Sequence, residues 1–203
     1  MATRSTRAVD AAPRVLPAVD SLRHDQRARH QRLIEAAVTV MTRVDYDRIQ
    51  VKDVADEAGV ALGTLYRYFN SKDHLFACAL LEWSSGFAPR ARSGRDAAPV
   101  ERVQRVYALA ARAFEREPRV YDVLVQLQGS TDPHARAVFA EFAQRQNEAF
   151  ATALSDLDTP DRDDIVDVMS AVLAEALHGW RRGSLTAPDV RRRLDRAAEL
   201  LLR

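Results

Sequence analysis

Val51-Lys52-Asp53-Val54-Ala55-Asp56-Glu57-Ala58-Gly59-Val60-Ala61-Leu62-Gly63-Thr64-Leu65-Tyr66-Arg67-Tyr68-Phe69 is the stretch whose order of small and apolar residues decides the fold. Two short helices, Val51 to Ala58 and Leu62 to Tyr68, flank a glycine that favours a tight turn. Ala55, Ala58 and Gly59 are small enough to let the two backbones approach closely. Val54, Val60, Leu65 and Tyr68 have the spacing to lock one helix on the other. The outer side of the second helix carries Ala61, Gly63, Thr64, Tyr66 and Arg67, all small or hydrogen-bonding. Such a surface suits insertion into a DNA major groove, which is about 12 Å wide.

Outward from this motif, the upstream chain predicts a helix from Asp25 to Arg43. Its buried face is marked by Leu33, Ala36, Ala37, Val40 and Met41, with Val44 following. Residues 1–22 are Ala, Arg and Pro without an apolar period and read as a disordered arm. Downstream, Ser71 is a good N-cap for the next helix, because its hydroxyl accepts from an otherwise unpaired amide. Residues 23–82 therefore form one unit.

A loop, Pro89-Arg90-Ala91-Arg92-Ser93-Gly94-Arg95, marks the change to a second unit over residues 83–203. Five helices are expected there. The first carries Val103, Val106, Tyr107, Ala110 and Phe114, and Pro118 ends or restarts it. Val120, Leu124 and Leu127 mark the second. Asp132-Pro133 and Thr159-Pro160 open the next two, and Thr186 with Pro188 opens the last. No strand pattern and no internal repeat is present, so the fold class is all-α.

Composition bounds the function. The 203 residues are 47% apolar, enough for real cores, and the net charge of +1 gives no bulk basicity. Of 30 basic residues only Lys52 and Lys72 are lysines, so the local motif carries the argument for nucleic acid. Cys78 is the single cysteine, which excludes an internal disulfide framework and reads as a small buried hydrophobe. His74 one turn earlier makes only two potential metal ligands, too few for a site. No apolar run approaches the roughly 20 residues that span a bilayer, and no secretory signal opens the chain. A cytoplasmic protein is expected, with no cofactor. A helical enzyme is disfavoured: there is no Gly-rich phosphate loop, and no nucleophile stands beside a base.

The stretch Gly63-Thr64-Leu65-Tyr66-Arg67-Tyr68-Phe69-Asn70-Ser71-Lys72-Asp73-His74-Leu75, with Val54-Ala55 and Ala58-Gly59-Val60 before it, closely resembles the signature of the TetR family of regulators. The resemblance covers residues 25–82. It implies an amino-terminal three-helix DNA-binding domain, a carboxy-terminal helical domain for effector binding and dimerisation, and double-stranded operator DNA as partner. It also implies phosphate contacts by Tyr66 and Tyr68 and places Gly63 and Thr64 near base edges, beside Ala61. Lys52, Arg67 and Lys72 are the cations placed to meet phosphates. Lys72 sits in a first helical turn, where a cation opposes the helix dipole, which favours an anionic partner. The family commonly has Thr or Ser capping the first helix of the motif. This chain has Gln50, a poorer cap, which leaves the amides there for a DNA phosphate or water.

A narrower likeness, to TetR-type repressors of cholesterol-degradation genes, rests on Val60 to Phe69, Ala113 to Pro118, Asp189-Val190 and Arg193-Leu194-Asp195. The resemblance makes the helix of Ile165, Val168, Met169, Val172 and Glu175, with Leu194 and Leu201 of the last helix, a four-helix homodimer interface. An effector pocket is expected from the helix after Pro133. Its apolar stripe runs from Ala135 through Phe142 to Ala149, yet passes through Gln146 where an apolar residue is due. Gln146 is either satisfied by its own neighbours or, with Tyr107, supplies polar contacts in a cavity walled by Phe114, Leu124, Phe142 and Trp180. A large, mostly apolar effector, a steroid or acyl-CoA thioester, suits such walls. The arginines of the Pro89 to Arg95 loop are either solvated or set to meet the phosphates of such a thioester. A repressor released by that effector is the leading reading, with an activator or an effector-free architectural DNA-binding protein as alternatives.

Overall fold

A computed structural model describes residues 24–86, 97–155 and 161–202. These contain α1 (His24–Arg43), α2 (Val51–Glu57), α3 (Leu62–Leu65), α4 (Lys72–Ser85), α5 (Pro99–Arg116), α6 (Pro118–Gln128), α7 (Pro133–Ala153), α8 (Arg162–Arg181) and α9 (Ala187–Leu201). The fold is all-α. The expected arm over residues 1–22, the Pro89 to Arg95 loop and the Thr159-Pro160 opening lie outside the described residues.

Local chemistry starts and stops these helices. The Ser71 hydroxyl accepts from the His74 amide at 3.0 Å and caps α4. Asp132 accepts from the amides of His134 and Ala135 at 2.7 and 3.0 Å, ahead of Pro133 in the first turn of α7. Thr186 and Asp189 exchange bonds in a capping box at the start of α9. At the turn of the motif Gly59 has φ of +66°, a left-handed conformation that penalises any side chain. The second helix of the motif is shorter than its pattern suggested. Beyond Leu65 the amides of Arg67 and Tyr68 bond to Thr64 and Leu65, three residues back, so the α geometry gives way to tighter turns.

The first three helices close over Leu33, Ala37, Met41, Val54, Leu65 and Phe69, all buried. Packing then passes through α4, which lies against α1 on one side and α7 on the other. Helices α5, α8 and α9 pack together, with Val103, Met169, Leu177, Val190 and Leu194 inside.

Where the two halves meet, aromatic rings run in a chain. His30 stacks on Phe69 at 5.1 Å, Phe69 meets His74 edge-on at 5.6 Å, and His74 lies 5.4 Å from His134. The Nδ1 atom of His74 accepts from the Asn70 amide, which requires a neutral ring. Burial, and then the neighbouring His134, pull the His74 pKa down to about 4, against an opposing pull from Asp132. Below about pH 6.5 the unfolded chain therefore takes up a proton that the folded chain refuses. Stability should be full above pH 6.5 and fall as the pH drops to about 4, by on the order of 3 kcal/mol. Urea unfolding across this range checks it, and His74→Gln should remove most of the slope.

Candidate nucleic-acid interface and effector cavity

The second helix of the motif turns one side to solvent. Ala61, Leu62, Gly63, Tyr66 and Arg67 are exposed, while Thr64 and Tyr68 are half-buried. Tyr68 has its ring 5.9 Å from His30, so part of its surface is committed to packing. Leu62, 38% exposed, shares this outer side and was not among the expected contacts. A Cβ added at Gly63 would meet nothing within 4 Å. Packing within the chain thus gives no reason for a glycine there.

Lys52 and Gln50 are exposed at the start of α2. The Gln50 amide donates to Asp53 Oδ2 at 2.8 Å, so Asp53 supplies half of a capping box and the residue 50 amide is already occupied. Lys72 departs further from expectation. Its ammonium donates to the Tyr46 carbonyl and lies 4.0 Å above the centre of the Tyr46 ring. The unfavourable dipole position is compensated within the chain, so the argument that Lys72 needs a phosphate does not stand. Burial lowers its pKa, in opposition to Asp47 and Asp73.

A cavity of about 580 Å³ opens among α4, α5, α6, α7 and α8. Phe114, Leu124, Phe142 and Gln146 stand on its wall as expected from the stripes, joined by Trp83 and Tyr121. Among the described residues, the Gln146 and Asn147 side-chain amides have no hydrogen-bond partner in the chain, and both face this space. Tyr107 and Trp180 do not line it. Tyr107 is fully buried, stacked on Phe150 at 4.4 Å, and its hydroxyl donates to the Val166 carbonyl at 3.0 Å. It joins α5 to α8 and has no hydroxyl to offer a ligand. Trp83 belongs to none of the stripes read in the second unit, and only tertiary packing brings the end of α4 to the cavity.

The expected dimer residues separate into two sets. Ile165, Met169 and Leu194 are buried within their own chain and cannot meet a partner. Val168 and Glu175 are exposed, and Val172 and Leu201 are half-buried. The long stripe on α8 is wide enough to serve two faces, and its inner half is used by α9 and α5. Leu200, 53% exposed, joins Val168, 46% exposed, as an outward apolar residue that the stripe did not single out.

Among the described residues, His, Cys, Asp and Glu form no cluster able to hold a metal, and no helix is long and apolar enough to cross a membrane. Cys78 lies half-buried on α4, where burial and Glu141 push its thiol up to about 12.

Residues 33–79 match the family described as bacterial regulatory proteins, tetR family, and residues 97–201 match a tetracyclin repressor-like C-terminal domain. The chain belongs to the TetR family. It is a DNA-binding transcriptional regulator and not an enzyme. It is 32% identical to the HTH-type transcriptional repressor KstR of Mycobacterium tuberculosis over 98% of this chain and 95% of that protein. A TetR transcriptional regulator from Rhodococcus sp. RHA1 superposes with a TM-score of 0.76 at 26% identity, covering 88% of this chain and 98% of that one. The fold is shared with a transcriptional regulator, FadR of Bacillus subtilis, solved in complex with stearoyl-CoA. That match has a TM-score of 0.66 at 20% identity over 85% of this chain and 97% of that one.

Gly63 provides a test of the reading surface. Gly63→Ala fills open space in a helix, so it should raise stability by about 0.5–1 kcal/mol. The same methyl should weaken operator binding about tenfold, because it holds the helix off the groove. Equilibrium unfolding and a gel-shift titration on DNA selected in vitro measure the two effects, and unchanged affinity would move the reading surface elsewhere.

Proposed function

We propose that this chain is a TetR-type repressor that binds a near-palindromic operator as a homodimer and is released by a small, largely apolar effector. The observation that carries the effector is the cavity, with its apolar walls and two amides that have no hydrogen-bond partner among the described residues. Its volume, about 580 Å³, falls within the roughly 300–1,000 Å³ of small-molecule sites. Gln146 is half-buried and Asn147 exposed, so their amides are open to a ligand carbonyl or hydroxyl, a hydrogen bond contributing about 0.5–1.5 kcal/mol. The likeness to a repressor over nearly the whole chain supports repression over activation. An architectural protein needs no such cavity.

Residues 23–82 would read DNA and residues 83–203 would take the effector and the partner copy. Gln50, Lys52, Ala61, Gly63, Thr64, Tyr66, Arg67 and Tyr68 would meet DNA, with Leu62 added. Phe114, Leu124, Phe142, Gln146, Asn147 and Trp83 would enclose the effector. A steroid or an acyl-CoA thioester fits these walls, and a fold neighbour solved with stearoyl-CoA supports the second. Among the described residues no Lys or Arg lines the cavity, so the apolar body of such a ligand would sit inside and coenzyme A phosphates outside. The absence of a membrane-crossing helix among the described residues is consistent with a cytoplasmic site of action.

The cavity is tested with Gln146→Leu. A panel of steroids and acyl-CoA thioesters would be titrated into the protein–operator complex while Trp83 fluorescence reports occupancy. The compound that releases the wild type should be needed at about tenfold higher concentration for the variant, the worth of one lost hydrogen bond. Release at the wild-type concentration would place the effector elsewhere.

The dimer is tested on Val168 and Leu200, which face outward from α8 and α9. Changing both to Glu would bury unpaired like charges against their symmetry mates. Sedimentation should show monomers that bind the operator at least tenfold more weakly. A dimer that survives the double change would exclude this face.

A further inference from the structure

Asp73, at the start of α4, bonds with its two oxygens to two parts of the molecule distant in sequence. Oδ1 accepts from the Tyr46 hydroxyl at 2.6 Å, and Tyr46 belongs to the 3₁₀ turn between α1 and α2. Oδ2 accepts from the Ser130 hydroxyl at 2.5 Å, and Ser130 lies in the turn between α6 and α7. The Tyr46 carbonyl in turn receives the Lys72 ammonium, which fixes the turn to the same end of α4. A second tie lies at the other end of α6, where Arg119 Nε donates to Asp45 at 2.9 Å. Helix α6 is thus fastened at both ends to the segment that leads into the DNA-reading helices. Between those fastenings it contributes Tyr121, Leu124 and Gln128 to the cavity wall.

The two ties are unequal. Arg119 and Asp45 are both largely exposed, a setting in which an ion pair contributes little. The Asp73 bonds are partly buried, short and charge-assisted, the stronger class of hydrogen bond. Neither Tyr46 nor Ser130 is needed to cap α4, which Ser71 does alone. The start of α4 favours an acid at residue 73, but it does not account for the bonds to Tyr46 and Ser130, 27 and 57 positions away.

We infer that Asp73, through Ser130, is a positioning residue that fixes how far apart and at what angle the two reading helices of a dimer are held, and so sets the half-site spacing the protein accepts. Gln128 on the cavity wall is two residues from Ser130, so a ligand that moves Gln128 pulls on the same bond. Breaking it removes one restraint on how the reading unit sits against α6, beside the Arg119–Asp45 pair and the packing of α1 and α4 on α6, and leaves the proposed base-contacting residues untouched. This rests on the dimer proposed above.

The experiment needs no effector. Wild-type protein selects paired half-sites from random-sequence DNA, and affinity is then measured on that DNA with the spacer lengthened or shortened by one base pair. One base pair shifts a half-site by about 3.4 Å and turns it by about 34°. The wild type should bind the altered spacers at least about tenfold more weakly, and Ser130→Ala should narrow that ratio to about threefold or less. Ser130→Thr keeps the donor and should restore the wild-type ratio. Ser130→Ala with an unchanged ratio overturns the inference. So does an equal loss on every spacer accompanied by a lower melting temperature, which would make Ser130 a stabilising residue only. Selection of single half-sites by the wild type would remove the dimer reading, and this inference with it, and is recognised by the absence of any spacer preference.

Discussion

Helix α4 must bury apolar residues on more than one side, and the rest of the architecture follows from that need. Leu75, Phe76, Ala77, Ala79 and Leu80 are all buried, and between them they point around most of the helix. A helix apolar on all sides finds cover only when other elements surround it. Here α1 covers one side and α7 another, with α6 against it as well. The unit that reads DNA and the unit that holds the cavity are therefore fused through a shared hydrophobic core. A flexible linker would transmit nothing between them. A packed helix moves as a body, because close-packed interiors shift between discrete arrangements more readily than they deform.

The cavity wall and the α4 junction are built from the same pieces of chain. Trp83 stands near the end of α4 on the cavity wall, and Ser71, Lys72 and Asp73 stand at its beginning beside the reading helices. Fourteen residues at about 1.5 Å each put these ends about 20 Å apart. A ligand against Trp83 and Gln128 thus touches both the far end of α4 and the helix tied to its near end. The ring chain from His30 through Phe69 and His74 to His134 lies along the same junction. His30 and His74, whose pKa values burial lowers, add packing there at neutral pH without adding charge.

What the sequence made legible was what depends on near neighbours. Gly59, the Ser71, Asp132 and Thr186 caps, and the order of helices all rest on residues within four positions of one another. The interrupted stripe at Gln146 was legible for the same reason, since a helical period exposes any polar residue in its path. What stayed hidden depends on partners far along the chain. The Tyr107 hydroxyl is satisfied by Val166, 59 residues away, so an apparent ligand contact is a structural strut. The Lys72 ammonium is satisfied by Tyr46, 26 residues upstream. On α8 the period was correctly read, but an i, i+3, i+4 stripe does not say where a core ends and a surface begins. Ile165 and Met169 fell inside and Val168 outside because α9 covers only part of the stripe.

The exposed apolar residues sharpen that last distinction. Among the described residues, the large hydrophobic side chains left in solvent are Leu62, Tyr66, Val168 and Leu200. Single exposed hydrophobes are ordinary on a soluble protein and need no explanation. These four, however, fall in two pairs, one on the outer side of the reading helices and one on α8 and α9. Each pair coincides with a surface reached by a separate argument: the bare Gly63 on one, the outward face of the stripe on the other. The net charge of +1 gives no bulk basicity and Lys72 is engaged within the chain, which leaves Lys52 and Arg67 as the expected cations on the first surface. In the proposed reading, contact there also draws on close fit, hydroxyl groups and apolar surface such as Leu62 against a thymine methyl. Close fit is what the glycine and alanine of that helix permit and what a bulkier sequence would forbid.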